Sequence, residues 1–169
     1  MANRDAAFGA RVMTAKEAPT LHVLKTGSTV AVGDIVTAED DDSGVALATA
    51  SSAIIYGIIV PQTNEAGTHC NYGTNLETTS TAGLKILVQP LTPDVVFAMQ
   101  CSGTTTANMR GKKCDIEGTT GALECNENAE AVKPIMIVRV LDGENFMDQK
   151  VALGANGIVF CKINPYQAI

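Results

Sequence analysis

The chain has 169 residues, 46% of them apolar and only 18% charged, with a formal net charge of −6. That apolar content excludes a disordered chain. The acidic balance, without any run of Lys or Arg, speaks against nucleic acid as a partner, because phosphates would be repelled. The longest strongly apolar run, Ala53–Val60, is far short of the roughly 20 residues a membrane span needs, and Met1–Arg11 lacks the apolar stretch of a secretion signal. No membrane partner is therefore expected, and synthesis in a cytosol is.

Residues 1–20 show neither a helical stripe nor strand alternation, and Pro19 would interrupt either. Phe8, Val12 and Met13 are apolar all the same, and residues 1–25 carry four basic side chains (Arg4, Arg11, Lys16, Lys25) against Asp5 and Glu17. A segment of this kind is either a frayed terminus or an arm that orders against a neighbour, with its positive balance opposing an acidic body.

From Leu21 onward, short apolar runs alternate with turn residues, the pattern of an all-β sandwich or barrel. Leu21–Lys25 precedes the Thr26-Gly27-Ser28 turn, and Val32-Gly33-Asp34 leads into Ile35–Ala38. Glu39–Gly44 is an acidic turn before Val45–Thr49. Its carboxylates could hold a cation, but without the spacing of a calcium loop they fit a solvated hairpin tip better. Predicted core strands are Ile54–Val60, Leu84–Gln89, Val95–Cys101, Pro134–Leu141 and Gly157–Ile163. Lys112–Glu117 and Ala122–Cys125 flank a hairpin connection, and Asn128–Val132 has room for a single helical turn. No internal repeat is evident in the sequence. Two polar connections, Gln62–Ala82 and Ser102–Gly111, are long enough to be contact surfaces, with Asn64, His69, Asn71, Tyr72 and Asn75 as candidate contact residues. Gln62–Ala82 also admits a strand pair through His69–Tyr72 and Leu76–Thr79.

The chemistry-bearing residues are sparse. The five cysteines have no CxxC spacing, and an odd count made in a reducing compartment predicts free thiols. Cys101, Cys114 and Cys125 could meet across strands, yet their spacing resembles no zinc ribbon or finger. His69 precedes Cys70, but neighbours on a strand face opposite ways. No nucleophile elbow or phosphate-cradling glycine loop is present. The expectation is a protein without catalytic residues, resident metal or cofactor.

Several stretches carry a family resemblance. The opening through Phe8-Gly9-Ala10-Arg11 resembles the small-residue, Phe-Gly-x-Arg start of tailed-phage head decoration (cement) proteins. Val32-Gly33-Asp34-Ile35-Val36 is similar to their entry into a core strand, and Tyr56-Gly57-Ile58 to their apolar-Gly-apolar strand. Asp94-Val95-Val96-Phe97, Pro134–Asp142 and Val159–Pro165 resemble later strands of that family. The resemblance implies a compact, β-tulip-like barrel or sandwich over residues 21–169. It also implies an extended N-terminal arm over residues 1–20, whose Phe8, Arg11, Val12 and Met13 would touch neighbouring subunits or the capsid. The partners implied are the major capsid protein lattice and two further copies of the chain in a homotrimer. The protein would then reside on the outer face of the virion and stabilise the lattice by binding it only when assembled. The alternatives are another phage structural β-protein, of tail tube or baseplate, and a soluble ligand- or glycan-binding barrel.

Overall fold

The computed structural model describes residue 3 and residues 7–39, 44–63, 67, 69–72, 75–77 and 83–165. Apolar side chains at every second position build nearly all of it, because that period puts one face of each strand into a core. The helix among the described residues is a single 3-10 turn, Ala107–Met109.

After β1 (Arg11–Thr14) come β2 (Thr20–Val23), β3 (Val30–Ala31), β4 (Ile35–Ala38), β5 (Val45–Leu47) and β6 (Gly57–Ile59). The short β7 (Gln62–Thr63), β8 (His69–Cys70) and β9 (Asn75–Glu77) lead to β10 (Lys85–Pro90). The second part holds β11 (Val96–Gln100), β12 (Thr104–Thr105), β13 (Lys113–Thr119), β14 (Ala122–Asn126) and β15 (Ile135–Val140). It ends with β16 (Asn145–Phe146), β17 (Gln149–Lys150), β18 (Gly154–Ala155) and β19 (Ile158–Ile163).

The two parts have the same topology. One sheet runs β2-β10-β6-β4-β5, and the other, beyond β1, runs β11-β19-β15-β13-β14. Counted along each part, both read first-fifth-fourth-second-third, antiparallel throughout. Each sheet curls until its third strand meets the end of its first at one parallel bridge, Leu24 to Val45 and Cys101 to Cys125. Neither closes into a full barrel. The minor pairs correspond as well: β3 with β9 matches β12 with β18, and the β7–β8 pair matches β16–β17.

The register repeats residue by residue. The Gly33 amide donates to Ile59 O at 2.8 Å and the Gly111 amide to Ile137 O at 2.7 Å. Ile59 N to Asp34 O and Ile137 N to Lys112 O are both 2.9 Å, as are Leu91 N to Tyr56 O and Asn164 N to Pro134 O. Lys25 N bonds Val45 O as Ser102 N bonds Cys125 O. By this register Leu24, Val36, Val45 and Val88 correspond to Cys101, Cys114, Cys125 and Cys161.

The first curled sheet encloses Leu24, Val36, Val45, Ile59, Ile86 and Val88. Its other face, through Ile35, Ala48, Ile55, Ile58 and Leu91, joins the second core around Phe97, Met99, Ile116, Ile135, Ile137 and the four thiols. Asp34, fully buried, pins the parts together: its carboxylate accepts the Ala31 amide at 2.7 Å and the Gly121 amide, in the β13–β14 turn, at 2.8 Å. Burial pushes its pKa up to about 6, against the two hydrogen bonds, which lower it.

Several sequence expectations need correction. Residues 1–20, expected without a strand of their own, contain one among their described residues. Asn3 exchanges two 2.8 Å hydrogen bonds with the Ala152 backbone, and β1 pairs with β11. The strand was hidden because the register shifts between Val12 and Thr14, which destroys the period of two. The Ile54–Val60 strand is confined to Gly57–Ile59, with Ile54 exposed just outside the ladder. The described residues of Gln62–Ala82 include three short strands, but β8 pairs with β7 and β9 with β3, not with each other. Residues 128–132 form no helix. Their chain is held by the buried Asp115 carboxylate, which accepts the amides of Ala131, Val132 and Lys133. The absence of a recognisable repeat is also superseded, at the level of topology.

Candidate contact surface

The two glycine stretches that carry the family resemblance lie against each other. The Ala10 amide donates to Gly33 O at 2.6 Å, and a Cβ on Gly33 would stand 2.7 Å from Phe8 O. Only glycine permits that approach at φ +99°. Phe8 is then buried, in a cluster with Phe146, Val151, Ile158 and Phe160, its ring centroid 5.9 Å from that of Phe146. Val12 is partly buried against the second core. Of the four candidate arm residues, Met13 is the exposed one and Arg11 is half-exposed.

Arg11 and Tyr72, taken from separate candidate segments, meet. The Arg11 guanidinium stands 5.3 Å from the Tyr72 ring centroid, close enough for a cation–π contact. Burial raises the Tyr72 phenol above its ordinary pKa, opposed by a hydrogen bond with the Val12 backbone and by the Arg11 charge. His69 and Asn71 are exposed, with Cys70 buried between them on the other face of β8. Asn64 and the side chain of Asn75 lie outside the described residues, as do Asp40, Asp41 and Asp42 of the acidic turn. Glu39 pairs with Lys25 at 2.6 Å.

Beside β1 a groove is lined by Arg11, Met13, Asn145, Phe146, Met147 and Asp148. The last two form the two-residue turn between β16 and β17, at φ 46° and 62°. Left-handed backbone at both positions is what a two-residue hairpin turn uses to match the twist of its strands, at roughly 1–2 kcal/mol for a residue with a side chain. Here it presents Met147, which is 42% exposed, near Met13 at 40%. Leu21 on β2 and Ile54 are exposed apolar side chains elsewhere. Sequence reasoning missed Met147 because Met-Asp is not a hairpin-turn dipeptide.

All five cysteines are buried and in the thiol form. Cys101, Cys114 and Cys161 surround Cys125 and, with burial, hold its thiol well above the ordinary value. No three His, Cys, Asp or Glu side chains among the described residues are placed to hold a metal ion. His22 takes part in hydrogen bonds with Thr20 at 2.8 Å and the Tyr56 hydroxyl at 3.1 Å.

No protein-family model matches the chain, and no curated protein sequence matches it.

Proposed function

We propose that the protein is a non-enzymatic structural component of a phage head, a decoration protein that binds the outer face of the capsid as a homotrimer and cements its lattice. The observation that carries this reading is the junction of Phe8-Gly9-Ala10-Arg11 with Val32-Gly33-Asp34. Two stretches that resemble the decoration family, distant in sequence, form one backbone-to-backbone contact. The exposed Met13 and Met147 beside the outer strand β1 supply an apolar contact of the kind such a role requires. Phe8 serves to hold β1 in place, and the lattice contact passes to Arg11, Met13, Tyr72 and Met147. Work of this kind needs complementary surface repeated over many copies, so modest contacts add up through effective concentration.

The test adds purified protein to heads stripped of decoration, then measures occupancy by imaging and the heat resistance of the heads. The full chain should occupy three-fold clusters and raise heat resistance. A Met13→Glu, Met147→Glu double variant, folded by circular dichroism, should lose at least about tenfold in affinity, from removing about 1.4 kcal/mol or more of apolar contact. Absence of binding by the full chain would refute the proposal, and equal binding by the double variant would refute the assigned surface.

A further inference from the structure

We propose that Cys101 and Cys125 are an oxidative cross-linking site: a small-molecule disulfide converts the pair into a disulfide that closes the second curled sheet covalently. The two residues are partners in the single bridge where β14 meets the end of β11. Their backbone frame is fixed on both sides, by Cys101 N to Gly157 O at 2.8 Å and Ser102 N to Cys125 O at 3.1 Å. Bridge partners on neighbouring strands are roughly 4.8 Å apart, inside the 4.4–6.8 Å Cα range of disulfides. Both side chains enter the same core. Cys114 and Cys161 also approach Cys125, but neither is its bridge partner: Cys125 stands opposite Ile116, two residues from Cys114, and β19 is not a neighbour of β14. Cys114 and Cys161 sit on β13 and β19, which are separated by β15, so their backbones stand roughly two strand spacings apart.

The first half supplies the internal control. Leu24 and Val45 hold the corresponding bridge, both buried, with no thiol. An aliphatic pair therefore suffices to close a sheet of this topology, and packing alone does not call for the two thiols.

The chemistry balances as ordinary thiol–disulfide exchange. The Cys101 thiolate attacks the oxidant's S–S bond and releases one small thiol. The Cys125 thiolate then displaces the second, forming the intramolecular S–S bond. Two thiols are oxidised, one external disulfide is reduced to two thiols, and the two protons pass to the departing thiolates. Complete burial and the raised Cys125 pKa keep the pair quiet until the bridge opens. The site thus stays reduced in a reducing cytosol and closes in an oxidising medium.

The experiment refolds the protein from urea in a glutathione redox buffer, which removes the access limit. Expected after refolding are a Cys101–Cys125 bridged peptide by mass spectrometry and three remaining thiols. The melting temperature should rise by roughly 6–12 °C, reversed by dithiothreitol. Cys101→Val should abolish the rise while Cys114→Val keeps it. Five unoxidised thiols after refolding, a bridge through any other cysteine pair, or cross-linking between chains would each overturn the proposal. None of these outcomes depends on capsid binding, so this proposal and the decoration reading fail separately.

Discussion

The two halves share a hydrogen-bond ladder but not a filling. Around the bridge that ends each sheet, the first half places Leu24, Val36, Val45 and Val88, and the second places four cysteines. At the other end the second half plugs its interior with Phe97 and Met99, where the register puts Thr20 and His22 in the first. His22 there stacks edge-on against Tyr56, centroids 4.9 Å apart. Backbone pairing and two left-handed glycines, Gly33 and Gly111, are common to both. Topology is therefore set by the ladder and its turns, while the side chains around the closing bridge are free to be aliphatic or thiol.

The sharpest way to break this equivalence is to substitute its shared glycines. Gly33→Ala should cost about 4 kcal/mol or prevent folding, because the new Cβ meets Phe8 O and the Tyr72 ring as well as an unfavourable φ. Gly111→Ala, with nothing within 4 Å, should cost only about 1 kcal/mol of backbone strain. Urea denaturation measures both, and equal losses would show that the junction with residues 8–10 carries little.

Phe8→Ala should cost about 3 kcal/mol in the free protein. An unchanged melting temperature would mean that the packing of Phe8 against Phe146 carries little.

Asp34 has Lys112 as its counterpart, so one half alone carries a buried carboxylate at this position. Its folded pKa, about 6, lies above the ordinary 3.8, and the folded state therefore holds the proton more tightly. Its contribution to stability is greatest below about pH 4 and is lost as pH rises through about 6, a change of about 3 kcal/mol. Between pH 4 and 7 the stability of Asp34→Asn relative to the native chain should rise by about that amount, measured by denaturation at each pH. A difference that does not vary with pH would mean that Asp34 is not desolvated.

A small effect is also expected of Cys125→Val, which copies Val45 into the second half and should change stability by less than about 1.5 kcal/mol. A larger loss would mean the thiol layer is a packing requirement of its own.

Much of the ladder was legible beforehand. Leu84, Ile86 and Val88 share a buried face as their spacing predicts, because a sheet with one face in a core leaves that period in the chain. Val95, Phe97, Met99 and Cys101 are buried as expected too, but so are Ala98 and Gln100 between them. The β13–β14 hairpin was legible from its glycines and threonines. The repeat was not, since Leu24 and Cys101, or Val36 and Cys114, share only apolarity, and register lives in backbone bonds. β1 was hidden by its bulge, β7–β9 by shortness and polar composition. Among the candidate contact residues, Arg11, Met13 and Tyr72 were accessible to sequence reasoning as isolated side chains. Their mutual placement, and the role of Met147, depended on a turn whose residues give no warning of it.

The pairing of β1 with β11 also sets a timetable for synthesis. Val12 leaves the ribosome first, but its partner Phe97 follows about 85 residues later. At ordinary rates of 5–20 residues per second, β1 therefore waits roughly 4–17 s without its strand. Over that interval the first curled sheet, whose strands span Thr20–Pro90, can form from residues already made. β1 thus emerges ahead of the strands it must wait for and is among the last to find its place.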